Sequence, residues 1–232
     1  MKLVTIDRKW LRLEEIEAIL ATPSQLQLND ETKAEIQKCR DFLDKKVGDS
    51  SDLIYGVNTG FGSLCNTAIS PEDLSTLQSN LVRSHACGMG ELVPLEIVRR
   101  MLLLKVLGLS HGKSGVQVQT VERLIYFFNN NIFPVVYQQG SLGASGDLAP
   151  LAHLSLPLLG EGEVYFEGKK VHSSVVLKQF NWEPIVLQSK EGLALLNGTQ
   201  FMSAYGVHIL IKVNKFSYLA DLIATISLEG FD

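Results

Sequence analysis

Apolar residues recur at the three- and four-residue spacing of an α-helix along most of this chain. The pattern predicts helices over residues 11–20, over a stretch that begins at Asp30, over residues 114–129 and over a long run from about 199 to 226. Another helix is predicted to begin at Pro94. Four apolar residues lie on one face of it: Ile97, Met101, Leu104 and Leu107.

Residues that favour helix starts indicate three further helices. Ser70 is a favourable N-cap, Pro71 suits the first helical position, and acidic residues follow, so a helix is expected to run to about His85. Asp147 is a favourable N-cap for a helix that starts at the next residue, and Ser189 is expected to start a short one.

β-structure is predicted in only two stretches. Residues 133–137 are short and extended, and residues 163–172 read as a small hairpin that turns at Glu167-Gly168. Residues 55–66 are rich in glycine and asparagine and are expected to form a loop. The sequence therefore predicts a mainly α fold with a small β-hairpin, without internal repeats or a visible linker.

The last predicted helix is apolar and has little chain behind it, so its apolar face needs a partner. We expect it to be the first helix of a truncated bundle, whose other helices come from a further segment or another chain. On this basis the chain divides into residues 1–198 and residues 199–232, the second being the start of the bundle.

Composition narrows the classes of function. Hydrophobic residues make up 46% and charged residues 20%, which is typical of a globular protein, and the net charge of −4 argues against nucleic-acid binding. The three cysteines are odd in number and lack Cys-x-x-Cys spacing, which favours reduced thiols in a cytoplasm. Charged residues 7–9 precede any apolar run, so no signal peptide is expected, and no apolar stretch predicts a membrane span.

The clearest chemical signal is the run Gly143-Ala144-Ser145-Gly146-Asp147. The amide nitrogen of Gly146 can attack the carbonyl carbon of Ala144 and close a five-membered ring. Loss of one water there, and of the Ser145 hydroxyl as a second, leaves an exocyclic methylidene, an electrophile that no ordinary side chain supplies. Glycine is required third because a Cβ would obstruct the approach. The helix after Asp147 would direct its positive end at this ring.

Two other runs resemble known motifs but do not match them completely. The run Gly108-Leu-Ser-His-Gly-Lys-Ser114 resembles a phosphate loop but lacks the required first glycine, since position 107 is leucine. The run 143–147 is not a nucleophile elbow, because it ends in Asp147 instead of glycine. No histidine pairs with cysteines or carboxylates at metal-ligand spacing, so no metal is expected.

Four segments together resemble the histidine and phenylalanine ammonia-lyase family, in the family's order and at similar separations. They are Tyr55-Gly-Val-Asn-Thr-Gly-Phe-Gly62, Asn80-Leu-Val-Arg-Ser-His-Ala-Cys-Gly88, Gln139 to Pro150, and Leu195-Leu-Asn-Gly-Thr-Gln200. The resemblance covers essentially the whole chain. Family members are longer, so the chain looks like the helical N-terminal half of such a lyase, and alone it is expected to be weakly active or inactive.

The resemblance implies roles for individual residues. Ala144-Ser145-Gly146 would form the family's 4-methylidene-imidazol-5-one (MIO) autocatalytically, so no diffusible cofactor is expected. Tyr55 matches the favoured base for the substrate's β-proton, and Asn197 matches a residue that contacts the ring and the bound amino acid. Ser84-His85 matches the pair found in histidine lyases, whereas phenylalanine and tyrosine lyases usually carry Phe-Leu or His-Leu there; a polar pair suits an imidazole.

The resemblance thus implies elimination of ammonia from L-histidine to give trans-urocanate, a step of histidine catabolism. It also implies a cytoplasmic enzyme that is a homotetramer at full length and whose binding partner is a small-molecule amino-acid substrate. Two alternatives remain open on the residues alone. One is a phenylalanine or tyrosine ammonia-lyase or aminomutase with the same ring. The other is a non-catalytic module that binds a partner through the exposed C-terminal helix.

Overall fold

Helices form most of the computed structural model, which describes residues 2–49, 52–140 and 143–231. The longest is the last, and it begins one residue after the start predicted from the sequence. The α-helices in chain order are α1 (Leu13–Ala21), α2 (Asp30–Asp49), α3 (Leu74–His85), α4 (Leu95–Ser110), α5 (Val118–Asn129), α6 (Leu148–Ser155), α7 (Ser173–Gln179), α8 (Glu191–Leu196) and α9 (Gln200–Glu229).

Short strands lie at the edges of this helical body. A parallel pair, β1 with β2, flanks α1, and β3 pairs antiparallel with β5. The remaining three form an antiparallel sheet in the order β4-β6-β7. The strands are β1 (Lys2–Ile6), β2 (Ser24–Leu28), β3 (Met89–Leu92), β4 (Phe133–Pro134), β5 (Tyr137–Gln139), β6 (Glu163–Phe166) and β7 (Lys169–His172).

The core is built around α4, which packs against α5 and α9. The predicted face of α4 is only part of what it buries. Ile97 and Met101 are fully buried as expected, but Leu102, Leu103 and Val106 on other sides are also inaccessible. Each such side chain contributes about 1.5–3 kcal/mol of burial free energy. Because α4 is buried on several sides, it determines the positions of the elements that pack on each of those sides.

The predicted fold class is confirmed, because the described part of the chain is mainly helical with few strands. The hairpin is also found where it was predicted, with β6 paired to β7. Its turn lies at Glu167 and Gly168, whose φ values of 50° and 75° are those of the tight turn that matches strand twist. The division at residues 198 and 199 stays a prediction.

The helix predicted from Ser70-Pro71 begins at Pro71, but its first turn is 3₁₀ and it becomes the α-helix α3 at Leu74. Ser70 has the predicted N-cap position, although its hydroxyl bonds the Asp73 carboxylate (2.8 Å) and not a backbone N–H. By contrast, the start of α5 was predicted too early: the helix begins at Val118 and not at 114, since Gly115 has a φ of 71° and breaks the helical path.

The start predicted at Ser189 is also displaced, to Glu191. Lys190 adopts a φ of 70°, outside the helical region, so the helix begins after it. Ser189 is used elsewhere: its carbonyl oxygen and its hydroxyl accept hydrogen bonds from the buried Arg40 guanidinium, at 2.8 and 2.9 Å.

The parallel pair β1–β2 was not predicted. The sequence signal for β2 is weak. Ser24, Leu26 and Leu28 are buried at alternate positions, but only two of these three are apolar and the residues between them are polar. Within the described part of the chain, no helix has the length and apolar character needed to traverse a bilayer.

Candidate active site

The run that is predicted to form the ring, Gly143 to Asp147, lies in a tight turn, here called the ring-forming turn. Gly143 and Gly146 form an antiparallel bridge, and the Gly146 N–H donates to the Gly143 carbonyl oxygen at 3.0 Å. Ala144 and Ser145 are exposed at the tip, whereas Gly146 is buried at its base. Leu142 and Ser141 lie outside the described residues. The turn thus brings Gly143 and Gly146 together and leaves Ser145, in the middle of the Ala144–Gly146 triad, accessible.

A backbone-to-backbone contact seats the turn. Gly146 has a φ of 108° and packs against Gly198, so that a Cβ at Gly146 would overlap the Gly198 carbonyl oxygen and lie 2.8 Å from its nitrogen. The next residue strengthens the contact, since the Asp147 N–H donates to the Gly198 carbonyl oxygen at 2.8 Å. Glycine is therefore required at position 146 by packing as well as by chain geometry.

Asp147 does not cap the helix that it was predicted to cap. It occupies the position before α6, but its side chain makes no capping hydrogen bond there. Its buried carboxylate instead accepts the Met202 N–H at 2.9 Å, in the first turn of α9. A carboxylate at the start of α9 is favourable because the N-terminal end of a helix carries a partial positive charge. Asp147 thereby ties the ring-forming turn to α9.

Tyr55 lies in a loop that rests on α8. Its side chain is 55% exposed, and its ring meets Phe61 edge-on at 5.9 Å. Gly56, with a φ of 71°, is covered so closely by the Leu193 side chain that a Cβ would overlap it. Asn58 folds the loop by accepting the Ile54 N–H at 2.7 Å. The phenol is therefore held on a short loop and is more than half exposed.

Ser84 and His85 form the last turn of α3. The His85 Nδ1 lies 2.9 Å from the Leu81 carbonyl oxygen, an obligate acceptor, which assigns the hydrogen of the neutral ring to Nδ1. Nε2 is then left as an acceptor. The Ser84 hydroxyl donates to the same carbonyl oxygen at 3.1 Å and lies 3.2 Å from Nδ1. Ser84 thus helps to orient the imidazole, and the Nε2 atom of His85 is the acceptor that stays free.

Asn197 is the residue after α8 and is exposed. Its N–H donates to the Leu193 carbonyl oxygen at 2.9 Å, which fixes its backbone. It directly precedes Gly198, the residue against which the ring-forming turn packs. Among the described residues, no hydrogen bond joins Ser145 to Tyr55, His85 or Asn197.

The short helix α8 links these segments. It packs against α3, which carries His85, and against α6, which follows the turn. At the α3 crossing, Gly192 approaches so closely that a Cβ would lie 2.5 Å from the Gln78 carbonyl oxygen. The Tyr55 loop and the His85 helix are therefore seated on α8, and the Ala144–Gly146 turn packs against Gly198, two residues beyond its end.

His153 is a residue whose role the sequence analysis missed. It lies on α6, its Nε2 accepts the Gly88 N–H at 2.9 Å, and its ring meets Tyr137 edge-on at 5.0 Å. This contact fixes the segment that follows His85. No three His, Cys, Asp or Glu side chains in the described ranges converge on a metal position.

The His153 contact predicts a pH dependence. Burial lowers the pKa of His153 below its ordinary 6.5, so the ring is neutral near pH 7 and accepts the Gly88 N–H. A base with a lowered pKa in the folded state contributes stability that is present above the unfolded pKa and is lost as the pH falls through the folded one. We therefore expect the Tm to fall between about pH 7 and pH 5 by more in the natural chain than in His153→Gln, whose amide oxygen accepts at both pH values. Equal falls in thermal melts of the two chains would contradict this role.

Comparison with known proteins identifies relatives over nearly all of the chain. The family model described as aromatic amino acid lyase matches residues 11–232. A histidine ammonia-lyase of Bacillus thuringiensis (strain Al Hakam) is 45% identical over 228 residues, which cover 98% of this chain and 45% of the relative. That of Bacillus cereus (strain ATCC 10987) is 47% identical over 227 residues, covering 98% and 43%. The chain thus spans a little under half the length of these relatives.

Solved structures of related enzymes have the same fold. Histidine ammonia-lyase from Trypanosoma cruzi has a TM-score of 0.85 at 38% identity and covers 95% of this chain and 42% of its own. Phenylalanine aminomutase from Pantoea agglomerans has a TM-score of 0.86 at 31% identity, with 94% and 42% covered. Ergothionase from Treponema denticola has a TM-score of 0.90 at 25% identity, with 96% and 44% covered.

Proposed function

The chain belongs to the aromatic amino acid lyase family, and from this premise we propose that it is the ring-bearing part of a histidine ammonia-lyase, which eliminates ammonia from L-histidine to give trans-urocanate. The observation that carries the proposal is the Ala144-Ser145-Gly146 turn, seated against Gly198 at the start of α6. The similarity to histidine ammonia-lyases over 98% of the chain supports the choice of substrate.

The residues of the turn fit the proposed MIO group. Gly146 has no room for a Cβ, and the exposed tip leaves the Ser145 side chain facing solvent, where a methylidene would have to meet a substrate. The N-terminus of α6 lies next to the ring and favours negative charge there. When formed, the ring supplies an electrophile that takes the substrate's amine and makes ammonia a better leaving group.

Three side chains of the site would act on the substrate or on the MIO ring. Tyr55 is proposed to take the β-proton, since its side chain is exposed on the loop over α8. His85 is proposed to accept the N–H of the substrate imidazole at Nε2, the nitrogen that its contact with Leu81 leaves free. Asn197 is proposed to donate from its amide to the ring's carbonyl oxygen as negative charge develops.

The proposal extends to assembly and location. The described part of α9 exposes a long apolar surface that needs covering, which supports a homo-oligomer, a tetramer by family resemblance. Cys39, Cys65 and Cys87 are all free, which agrees with a cytoplasmic location. The exposed apolar residues of α9 are Met202, Ile209, Leu210, Val213, Phe216, Tyr218, Leu219, Leu222, Ile223, Ile226 and Leu228.

Turnover of single amino acids by the complete protein tests the proposed function. L-Histidine, L-phenylalanine and L-tyrosine are supplied in turn, and the products are identified by ultraviolet absorbance and mass. Urocanate from histidine alone supports the proposal. Cinnamate or coumarate would indicate the aromatic lyase instead, and a β-amino acid would indicate an aminomutase, as in the Pantoea agglomerans relative. No turnover, with an uncyclised Ser145 and a stable monomer, would indicate a non-catalytic module.

Replacing His85 tests the substrate choice directly. His85→Leu removes the acceptor offered to the substrate imidazole, so kcat/KM for L-histidine is expected to fall about 10- to 100-fold, the effect of one lost buried hydrogen bond. The same change in His172, an exposed histidine that caps α7, is the matched control and is expected to leave kcat/KM unchanged. Equal values for His85→Leu and the natural protein would exclude His85 from substrate binding.

A further inference from the structure

Helix α8 is too short to be stable by itself. It has six residues, fewer than two turns, whereas isolated helices need about 12–15 residues even to be marginal in water. Yet the Tyr55 loop and the His85 helix rest on it, and the Ala144–Gly146 turn rests on Gly198, two residues beyond its end. The contacts that hold α8 in place therefore also set the geometry of the proposed active site.

A buried carboxylate holds the first turn of α8. Glu191 is inaccessible to solvent, and its two oxygens accept four hydrogen bonds. Gln117 donates its backbone N–H (2.8 Å) and its side-chain amide (2.6 Å), Thr120 donates its hydroxyl (2.7 Å), and Gln188 donates its N–H (2.8 Å). The N-terminal end of a helix favours a negative charge, which offsets part of the cost of burial.

A buried lysine holds the last turn. Lys105 projects from α4, is 2% exposed, and its Nζ donates to the Ala194 carbonyl oxygen at 2.9 Å. That carbonyl lies in the last turn of α8, where helical carbonyls lack partners of their own. Burial lowers the pKa of Lys105 to about 7. An amine in this core costs more than a leucine would, so its use at this position needs a reason.

We find this reason in the position of Gly198, which α8 sets. Gly198 follows the helix by two positions and is the surface against which Gly146 packs, with the Asp147 N–H bonded to its carbonyl oxygen. Movement of the last turn of α8 would move Gly198 and loosen the turn. We propose that Lys105 and Glu191 are positioning residues, which clamp α8 at its two ends and so press Gly198 against the ring-forming turn.

This inference rests on the proposed function for its effect on catalysis, but the clamp itself is testable without turnover. In the complete protein, Lys105→Met removes the donor and keeps an unbranched side chain that is one heavy atom shorter. Hydrogen exchange of the peptide that contains Asp147 reports the contact with Gly198 directly. Loss of the partner of one buried carbonyl is expected to speed that exchange at least about fivefold. The fraction of chains that carry the ring, measured by intact mass, is expected to fall, and kcat is expected to fall more than KM changes.

Two further variants separate positioning from plain destabilisation. Lys105→Arg keeps a donor and is expected to restore part of the ring fraction. Val164→Ala removes buried apolar volume from β6, which is a different element from α8. It serves as a control whose loss in Tm is compared with that of Lys105→Met. It is expected to leave both the exchange of Asp147 and the ring fraction unchanged. Glu191→Gln, which removes one oxygen acceptor at the other end of α8, serves if Lys105→Met does not fold and is expected to raise the exchange of Asp147 in the same way.

The outcomes are distinct. If Lys105→Met and Glu191→Gln lower the Tm as Val164→Ala does but leave Asp147 exchange at the natural rate, the clamp does not exist and the inference is overturned. If the natural protein fails to release urocanate, the proposed function fails. The exchange rates of Asp147 still decide whether Lys105 and Glu191 position Gly198.

Discussion

Replacing Ser145 with alanine is expected to give a chain without the two-water mass deficit. Alanine has no hydroxyl to lose, so the methylidene cannot form at position 145. In the proposed lyase the loss in kcat is expected to be at least about a thousandfold, equivalent to about 4 kcal/mol of transition-state stabilisation. Intact mass, peptide mapping and the rate of urocanate release measure the two effects on one sample.

A second serine provides the control for this substitution. Ser174 in α7 is half-buried, and its hydroxyl contacts His172, far along the chain from the triad, so Ser174→Ala is expected to keep both the two-water mass deficit and the rate. Natural activity in Ser145→Ala would remove the proposed electrophile from the mechanism. A mass deficit that maps to some other peptide would do the same.

Adding one methyl group at Gly146 is expected to have the second-largest effect. A Cβ there overlaps the Gly198 carbonyl oxygen, and the φ of 108° disfavours any residue but glycine. Both partners in the contact are backbone, which cannot rotate away. The turn is therefore expected to lose its seat in Gly146→Ala, with the ring fraction falling to a few per cent or less of the natural value by intact mass.

The same loop contains the matched control. Gly143 is at the other end of the bridge, and a Cβ built on it meets no atom within 4 Å. Gly143→Ala is expected to retain most of the ring. If both variants cyclise equally well, packing against Gly198 is not what compresses the turn, and the contact described above has no part in ring formation.

Signals carried by neighbouring residues were predictive, whereas contacts between distant ones were not. The hairpin at residues 163–172 and the end of α3 at His85 follow from local patterns, and both are present. Asp147 shows the limit. It was predicted to cap α6, but the N–H that its carboxylate accepts belongs to Met202, in a different helix. Which of two helix starts captures a carboxylate depends on tertiary packing, and a local pattern does not encode that.

The candidate site divides in the same way. Tyr55, Ser84, His85, the Ala144–Gly146 triad and Asn197 were chosen from short motifs, and their roles stay predictions. Lys105 and Glu191 carry no motif. Lys105 interrupts an apolar run and Glu191 begins a helix, so their sequence context indicates a solvated charge in both cases. Only their burial against Ala194 and Gln117 identifies them as structural charges.

The contact between Gly146 and Gly198 also sets an order of events during synthesis. Gly198 follows Gly146 by 52 residues in the sequence, and it reaches its place only after α8 has been made and packed. At about 5–20 residues per second, translation needs about 3–10 s to cover that distance. The triad therefore leaves the ribosome well before Gly198 does. In the proposed lyase, a newly made chain would carry an ordinary serine at 145 until α8 has docked. This order would keep the reactive electrophile out of the unfolded chain, where other nucleophiles would reach it.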